Sequence, residues 1–399
     1  MTRAVVVIDG EHYAPVVRDA IAELPYEVVG AWLAGGTEKL RGGDEYGVPL
    51  LAQLEDGFAQ AEVVVDLSDE PVLSPPARFL LASRALAAGL TYKGADFQFE
   101  PPEYAAFPLP SLAIIGTGKR VGKTAVTGHV ARLLSRDRDV VVVAMGRGGP
   151  AEPLTAEVAP TVESLLALSR AGAHAASDYL ETAALTGVVT IGCRRAGGGL
   201  AGAVTTSNVL RGAELAAERE PDLVIFDGSG AAIPPIDVDA RILVSGAAQD
   251  PTAYLNAYRV LVSDLVVLIG GGSDVDALRA LKDVPVVRAD LRLRPVAPLE
   301  GRRVAVFTTG PAPTEHLDAD VVSVSRNLAD RARLREDLER TDADAFLVEI
   351  KAAAIDVVAE AAHERGVEVA FAENEIVTLP GEPSLDDAIL QLVPTGAPA

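Results

Sequence analysis

The chain has 399 residues, 49% of them hydrophobic, a formal net charge of −22 and one cysteine. So much apolar side chain can bury a large core, which points to two or three domains and excludes a disordered or fibrous protein. The acidic surplus speaks against nucleic acid, whose phosphates require a basic face, and against an anionic membrane. Cys193 alone excludes an internal disulfide and a cysteine-built zinc site, as expected of a reducing compartment. The opening apolar run breaks at Asp9, too short for a signal peptide, and no apolar stretch is long enough to span a bilayer. A cytoplasmic protein with neither nucleic-acid nor membrane partners is expected.

Residues 1–108 alternate strands at 4–8, 27–33 and 62–66 with helices over 14–24 and 77–90, predicting an N-terminal Rossmann-like α/β domain. Each strand empties into polar, turn-forming residues: Asp9-Gly10-Glu11-His12-Tyr13, Gly35-Gly36-Thr37-Glu38-Lys39 and Asp66-Leu67-Ser68-Asp69-Glu70. They fit a ligand or interface crevice, but G-x-G-x-x-G is missing and NAD is not expected. Pro101, Pro102, Pro108 and Pro110 mark a linker. A second α/β unit, residues 109–300, is predicted with strands at 111–115, 139–144, 188–193, 222–227, 240–244 and 265–269. A C-terminal α/β region, 301–399, follows with strands at 304–307, 321–324, 345–349 and 368–372 and a helix over 353–365.

The first strand of the middle unit runs into Gly116-Thr117-Gly118-Lys119-Arg120-Val121-Gly122-Lys123-Thr124-Ala125, and helical spacing follows at Val126, Val130, Leu133 and Leu134. Strand, glycine-rich loop and helix together predict an ATP or GTP site. Backbone N–H groups cradle the phosphates, Lys123 reaches the β- and γ-phosphates, and the Thr124 hydroxyl ligates Mg²⁺. Thr117 stands where the common motif has glycine, and this form of the loop resembles that of dethiobiotin synthetase and its relatives.

Ligands of parallel sheets bind beyond the carboxyl ends of the strands, so the residues there are the informative ones. Met145-Gly146-Arg147-Gly148-Gly149-Pro150 offers a guanidinium on a glycine turn. Arg194-Arg195-Ala196-Gly197-Gly198-Gly199 offers two guanidiniums on a loop with little side chain, an anion clamp. Asp227, after the apolar run 223–226, reads as the strand-borne acid that holds Mg²⁺. Cys193 reads as a buried packing residue. Between these, His174, Asp178, Tyr179 and Glu181 lie in a segment read as helical, where His174 and Asp178 share a face and could serve Mg²⁺ or a proton, or merely line the surface. In the tail, Lys351, Glu373 and Asn374 are expected just beyond strands, either reaching substrate or lying on the surface.

With Gly116 to Thr124, Met145 to Pro150, Gly192 to Gly199 and Asp227-Gly228-Ser229-Gly230-Ala231-Ala232-Ile233-Pro234-Pro235, the chain resembles the cyclic 2,3-diphosphoglycerate synthetases, nearly end to end. The resemblance implies ATP and Mg²⁺ as cofactors, with K⁺ a candidate, and 2,3-diphosphoglycerate as the substrate whose two phosphates are joined into an anhydride. It also implies a homodimer. Lys123, Arg147, Arg194, Arg195, Lys119 and Arg120 are the expected catalytic cations, and Thr124 and Asp227 the metal ligands. Two alternatives stay open: another ATP-dependent ligase of the dethiobiotin synthetase type, and a P-loop regulatory ATPase.

Overall fold

A computed structural model describes residues 1–41, 44–171, 177–271, 274–310, 312–350 and 355–393. The first unit contains β1 (Arg3–Ile8), α1 (Ala14–Glu23), β2 (Glu27–Leu33), β3 (Leu50–Leu51), β4 (Val63–Asp66), α2 (Pro75–Ala87), β5 (Thr91–Lys93) and β6 (Gln98–Phe99). Its sheet runs β3-β2-β1-β4-β5-β6, parallel except at the last pair. The valine runs of β1 and β4 are buried on both faces, as central parallel strands must be when helices cover them.

The middle unit contains β7 (Ser111–Gly116), α3 (Lys123–Leu134), β8 (Val140–Gly146), β9 (Leu154–Ala156), α4 (Val162–Arg170), α5 (Asp178–Thr186), β10 (Val189–Ala196) and β11 (Thr206–Ser207). It continues through α6 (Val209–Ala217), β12 (Leu223–Asp227), β13 (Ala240–Gly246), α7 (Asn256–Leu261), β14 (Leu265–Ile269), α8 (Val275–Leu281) and β15 (Val286–Pro295). The tail adds β16 (Arg303–Phe307), β17 (Asp320–Ser325), α9 (Arg331–Glu339), β18 (Ala345–Glu349), α10 (Ile355–Arg365), β19 (Glu368–Thr378) and α11 (Leu385–Leu392).

Middle unit and tail share one sheet, ordered β11-β10-β8-β12-β7-β13-β14-β15-β19-β18-β16-β17. The strands from β10 to β15 in this order are parallel, and the chain crosses from one side of β7 to the other between β12 and β13, the kind of switch point beside which parallel sheets bind ligands. The join to the tail is the antiparallel pair β15 and β19. The tail curls back over the middle unit: Leu165, Leu180 and Ala184 share a core with Phe307, Phe346 and Val348. On the opposite sheet face the first unit docks through α2 on α7, with Phe79 edge-on to Tyr254 at 5.5 Å and the hydroxyls of Tyr104 and Tyr258 2.9 Å apart.

Three sequence expectations change. The strand expected to end at Cys193 continues through Ala196, because Arg195 and Ala196 find an antiparallel partner in β11. Glu373 and Asn374 lie inside the last strand rather than beyond it, since β19 pairs with β15 as far as Thr378. The segment expected to be helical from His174 begins its helix at Asp178; His174, like Lys351, lies outside the described residues.

Candidate active site

The glycine-rich loop leaves β7 at the switch point and ends at Gly122, whose φ of +96° an L side chain adopts only with strain. Thr117 takes the motif's glycine position without a positive φ. Its N–H donates to the Val244 carbonyl at 3.1 Å and its hydroxyl to Ser245 Oγ at 3.1 Å, so the side chain turns away from the loop into β13. Arg120 instead carries the strain, at φ +60°. Lys123 folds back over the loop: a Cβ on Gly116 would stand 2.8 Å from Lys123 Cδ. Thr124 and Ala125 open α3.

Beside the loop, β12 delivers Asp227, which is 4% exposed and accepts from Thr127 Oγ1 at 3.0 Å. Burial raises its carboxyl to about 7, with Lys123 pulling down and Asp178 pushing up. Burial in turn lowers the Lys123 ammonium, against the attraction of Asp227 and Asp178. Asp178 begins α5 close over β8, its Oδ2 2.9 Å from where a Gly146 Cβ would sit. The Thr124 hydroxyl and the Asp227 carboxylate are hard oxygen ligands of the kind Mg²⁺ takes along with phosphate oxygens. Among the described residues no group of three or more His, Cys, Asp and Glu could hold a metal by itself, so an ion there would draw its remaining ligands from water or phosphate.

The cations divide by strand geometry. In β10 successive side chains alternate faces, so Arg194 and Arg195 leave in opposite directions and do not form one fork. Arg195 donates to the Gly197 carbonyl at 2.6 Å and to the Ser229 carbonyl at 2.7 Å, reaching the loop after β12. There it meets the phosphate loop: a Cβ on Gly230 would lie 3.4 Å from Arg195 Nη2 and 3.7 Å from Lys119 Cγ. Burial and the nearby charge of Arg147 both lower the Arg195 pKa, and Asp178 opposes them. The buried Arg195 Nε has no hydrogen-bond partner among the described residues. Arg147, Arg194, Lys119 and Arg120 are exposed. Arg147 follows β8, which β12 separates from β7.

On the outer side of α3 a narrow crevice, with room for about one water, runs between Thr124, Ala125 and Gly128, helix α5, and Glu349, Glu373 and Asn374 of the tail. Thr309 donates to Glu349 through N–H and Oγ1, at 2.9 and 3.0 Å, and Asn374 Nδ2 donates at 3.1 Å.

Models of three domains of the cyclic 2,3-diphosphoglycerate synthetases match this chain: the N-terminal domain at residues 3–100, the P-loop domain at 111–284 and the C-terminal domain at 295–375. A cyclic 2,3-diphosphoglycerate synthetase from Rubrobacter xylanophilus is 48% identical over 98% of this chain and 97% of its own length. The chain belongs to the cyclic 2,3-diphosphoglycerate synthetase family. Members from Thermococcus kodakarensis and Methanothermus fervidus are 42% and 38% identical, over 97% and 98% of this chain and 98% and 96% of their own. The solved structure of LpxK from Aquifex aeolicus with ATP is 14% identical, covering 73% of this chain and 90% of that one at a TM-score of 0.43.

No sequence pattern marked Thr127, Ser245 or Thr182 as site residues, and Ser229 stood out only as part of the run from Asp227 to Pro235. Thr127 lies three residues past Thr124, one helical turn on, and that spacing was a usable signal for a hydroxyl facing the strand acid. Nothing local marks Ser229, whose carbonyl matters only once β10 lies near β12. The described residues include no helix long and apolar enough to cross a membrane.

Proposed function

We propose that the protein uses ATP and Mg²⁺ to join the two phosphates of 2,3-diphosphoglycerate into an intramolecular phosphoanhydride, releasing ADP and inorganic phosphate. The observation that carries this reading is the meeting of Lys119 and Arg195 over Gly230, with the charge of Arg147 close by. ATP is served by the loop and Lys123, so these further cations are suited to a second polyanion. The names of the relatives support the same substrate.

In this reading a substrate phosphate oxygen attacks the γ-phosphorus, and the bond to the ADP oxygen breaks. The neighbouring substrate phosphate then attacks the activated phosphorus and expels inorganic phosphate, closing the ring. Lys123, Arg195, Lys119 and Arg147 hold the two phosphates together and balance the charge that develops, where each lost donor costs about 3 kcal/mol. Holding the partners in one site is worth effective molarities on the order of 10⁵ M. Bound Mg²⁺, held by Thr124 and Asp227, supplies further charge neutralisation. Arg194 and Arg120 belong to the entry surface.

The phosphate loop is of the dethiobiotin synthetase type in this reading, supported by Thr117 at the glycine position. Units at 1–108, 109–300 and 301–399, a cytoplasmic location expected from composition, and, on the resemblance alone, a homodimer with K⁺ as a candidate cofactor complete it. The test is ³¹P NMR of the protein with ATP, Mg²⁺ and 2,3-diphosphoglycerate. A cyclic pyrophosphate signal growing with ADP is expected; ADP formation without it, or equally fast without phosphoglycerate, returns the protein to the ligase or regulatory-ATPase readings.

A further inference from the structure

Two guanidiniums bridge the same pair of loops, those after β10 and β12. Arg195 spans them from the side of the site, through the carbonyls of Gly197 and Ser229. Arg259 of α7, 1% exposed, spans them from inside the protein. Its Nη1 donates to the Leu200 carbonyl at 3.0 Å, while Nη2 and Nε donate to the Ala231 carbonyl at 2.6 and 3.1 Å. Nη1 also reaches the Leu255 carbonyl at 3.1 Å and Asn256 Oδ1 at 3.4 Å. Only the hydroxyls of Tyr104 and Tyr258 draw on its charge, and burial lowers the guanidinium no further than about 10, so it stays a cation near neutral pH. A buried charge satisfied by carbonyls alone costs more than an apolar side chain of the same size, so filling the core does not account for it.

The turn between the two arginines accounts for it. Ser229 and Ala232 exchange backbone hydrogen bonds at 3.3 and 3.0 Å around Gly230, whose φ is +62°. On this closed turn the Ser229 carbonyl holds Arg195 and the Ala231 carbonyl holds Arg259. The Ile233 N–H donates to the Gly202 carbonyl at 2.8 Å, tying the turn to the loop after β10. Moving Ala231 therefore moves the Ser229 carbonyl, and with it the guanidinium that Arg195 presents beside Lys119. We infer that Arg259 is a positioning residue for diphosphoglycerate binding: it fixes the two loops that Arg195 bridges, and so sets where the Arg195 guanidinium meets a substrate phosphate. This rests on the reading of Arg195 as a substrate cation.

The experiment is a double-mutant cycle in the whole protein. Arg259→Lys keeps the charge but loses the planar fork that reaches both loops. It is expected to raise KM for 2,3-diphosphoglycerate about tenfold, with kcat changed less than about threefold and Mg·ATP affinity by calorimetry unchanged. On top of Arg195→Ala the same substitution should cost less than about twofold, because the group it positions is gone. Gly202→Ala guards against a misfolded Arg259→Lys, since it disturbs the same junction without touching a charge. Its Cβ would stand 3.2 Å from the Ala231 oxygen and closer still to Ile233, and the same signature is expected. An unchanged KM, a loss shared equally by Mg·ATP, or a full further loss on top of Arg195→Ala overturns the inference. The ¹⁵N NMR signal of Arg195 Nε–H, assigned by its loss in Arg195→Ala, reports without substrate and should shift or broaden in Arg259→Lys. Such a change with no cyclic product from wild type sinks the synthetase reading and leaves the positioning of Arg195 standing; an unmoved signal overturns the positioning.

Discussion

Arg132 on α3 donates to Glu373 of β19 at 2.6 Å, and Arg294 of β15 holds the same carboxylate from the other side. The carboxylate is 3% exposed, so the helix that carries the phosphate loop is pinned to the tail by a buried charge. Glu373→Gln would leave two guanidiniums facing each other. Breaking such a pair costs about 2–3 kcal/mol once the partial exposure of the arginines is discounted. A lower urea midpoint at unchanged m-value should report it, with weaker Mg·ATP binding following as α3 loosens.

Lys123→Ala should cut turnover by about 10²–10³-fold, with the fold intact by circular dichroism. The side chain packs along Gly116 and faces Asp227, so its loss removes charge rather than core. Full activity in this variant would remove the phosphate-loop assignment.

The two adjacent arginines should behave differently. Arg195 lies against Ser229, Gly230 and the Lys119 stem, whereas Arg194 leaves the other face of β10 into solvent. Arg195→Ala is expected to lose about 10²-fold in kcat/KM for 2,3-diphosphoglycerate and Arg194→Ala less than tenfold. Equal losses would show that both reach substrate.

Asp227 gives a pH signature. Its carboxyl is raised to about 7 in the nucleotide-free protein, so it is increasingly protonated as pH falls below that value. Mg²⁺ needs the ionised form, and binding must then displace a proton. Mg·ATP affinity should therefore weaken from pH 8 to pH 6, approaching tenfold per unit below 7, and level off above it. Titration in buffers of differing ionisation enthalpy should show proton uptake by buffer at pH 6.5, absent in Asp227→Asn.

Cys193 should be inert. It is 1% exposed and burial pushes its thiol up to about 12, so almost no thiolate exists at pH 8. Alkylation by iodoacetamide should be negligible in the folded protein and complete in urea.

The phosphate loop was legible in the sequence because its chemistry is local. Strand, glycines, lysine and helix follow one another within fifteen residues, and the backbone geometry that makes an anion cradle needs no distant partner. Asp227 could be noted for the same reason, as an acid ending an apolar run. The Arg194-Arg195 clamp was not legible, because β11 extends β10 by hydrogen bonds that no local pattern announces, and alternation along the extended strand parts the two side chains. Glu349, Glu373 and Asn374 likewise could be noted in the sequence, but their approach to Thr124 depends on β15 pairing with β19 and curling the tail over α3. Short-range residue order thus set the nucleotide chemistry, while long-range strand pairing chose which cations face one another and placed an acidic crevice against the helix that begins at the loop.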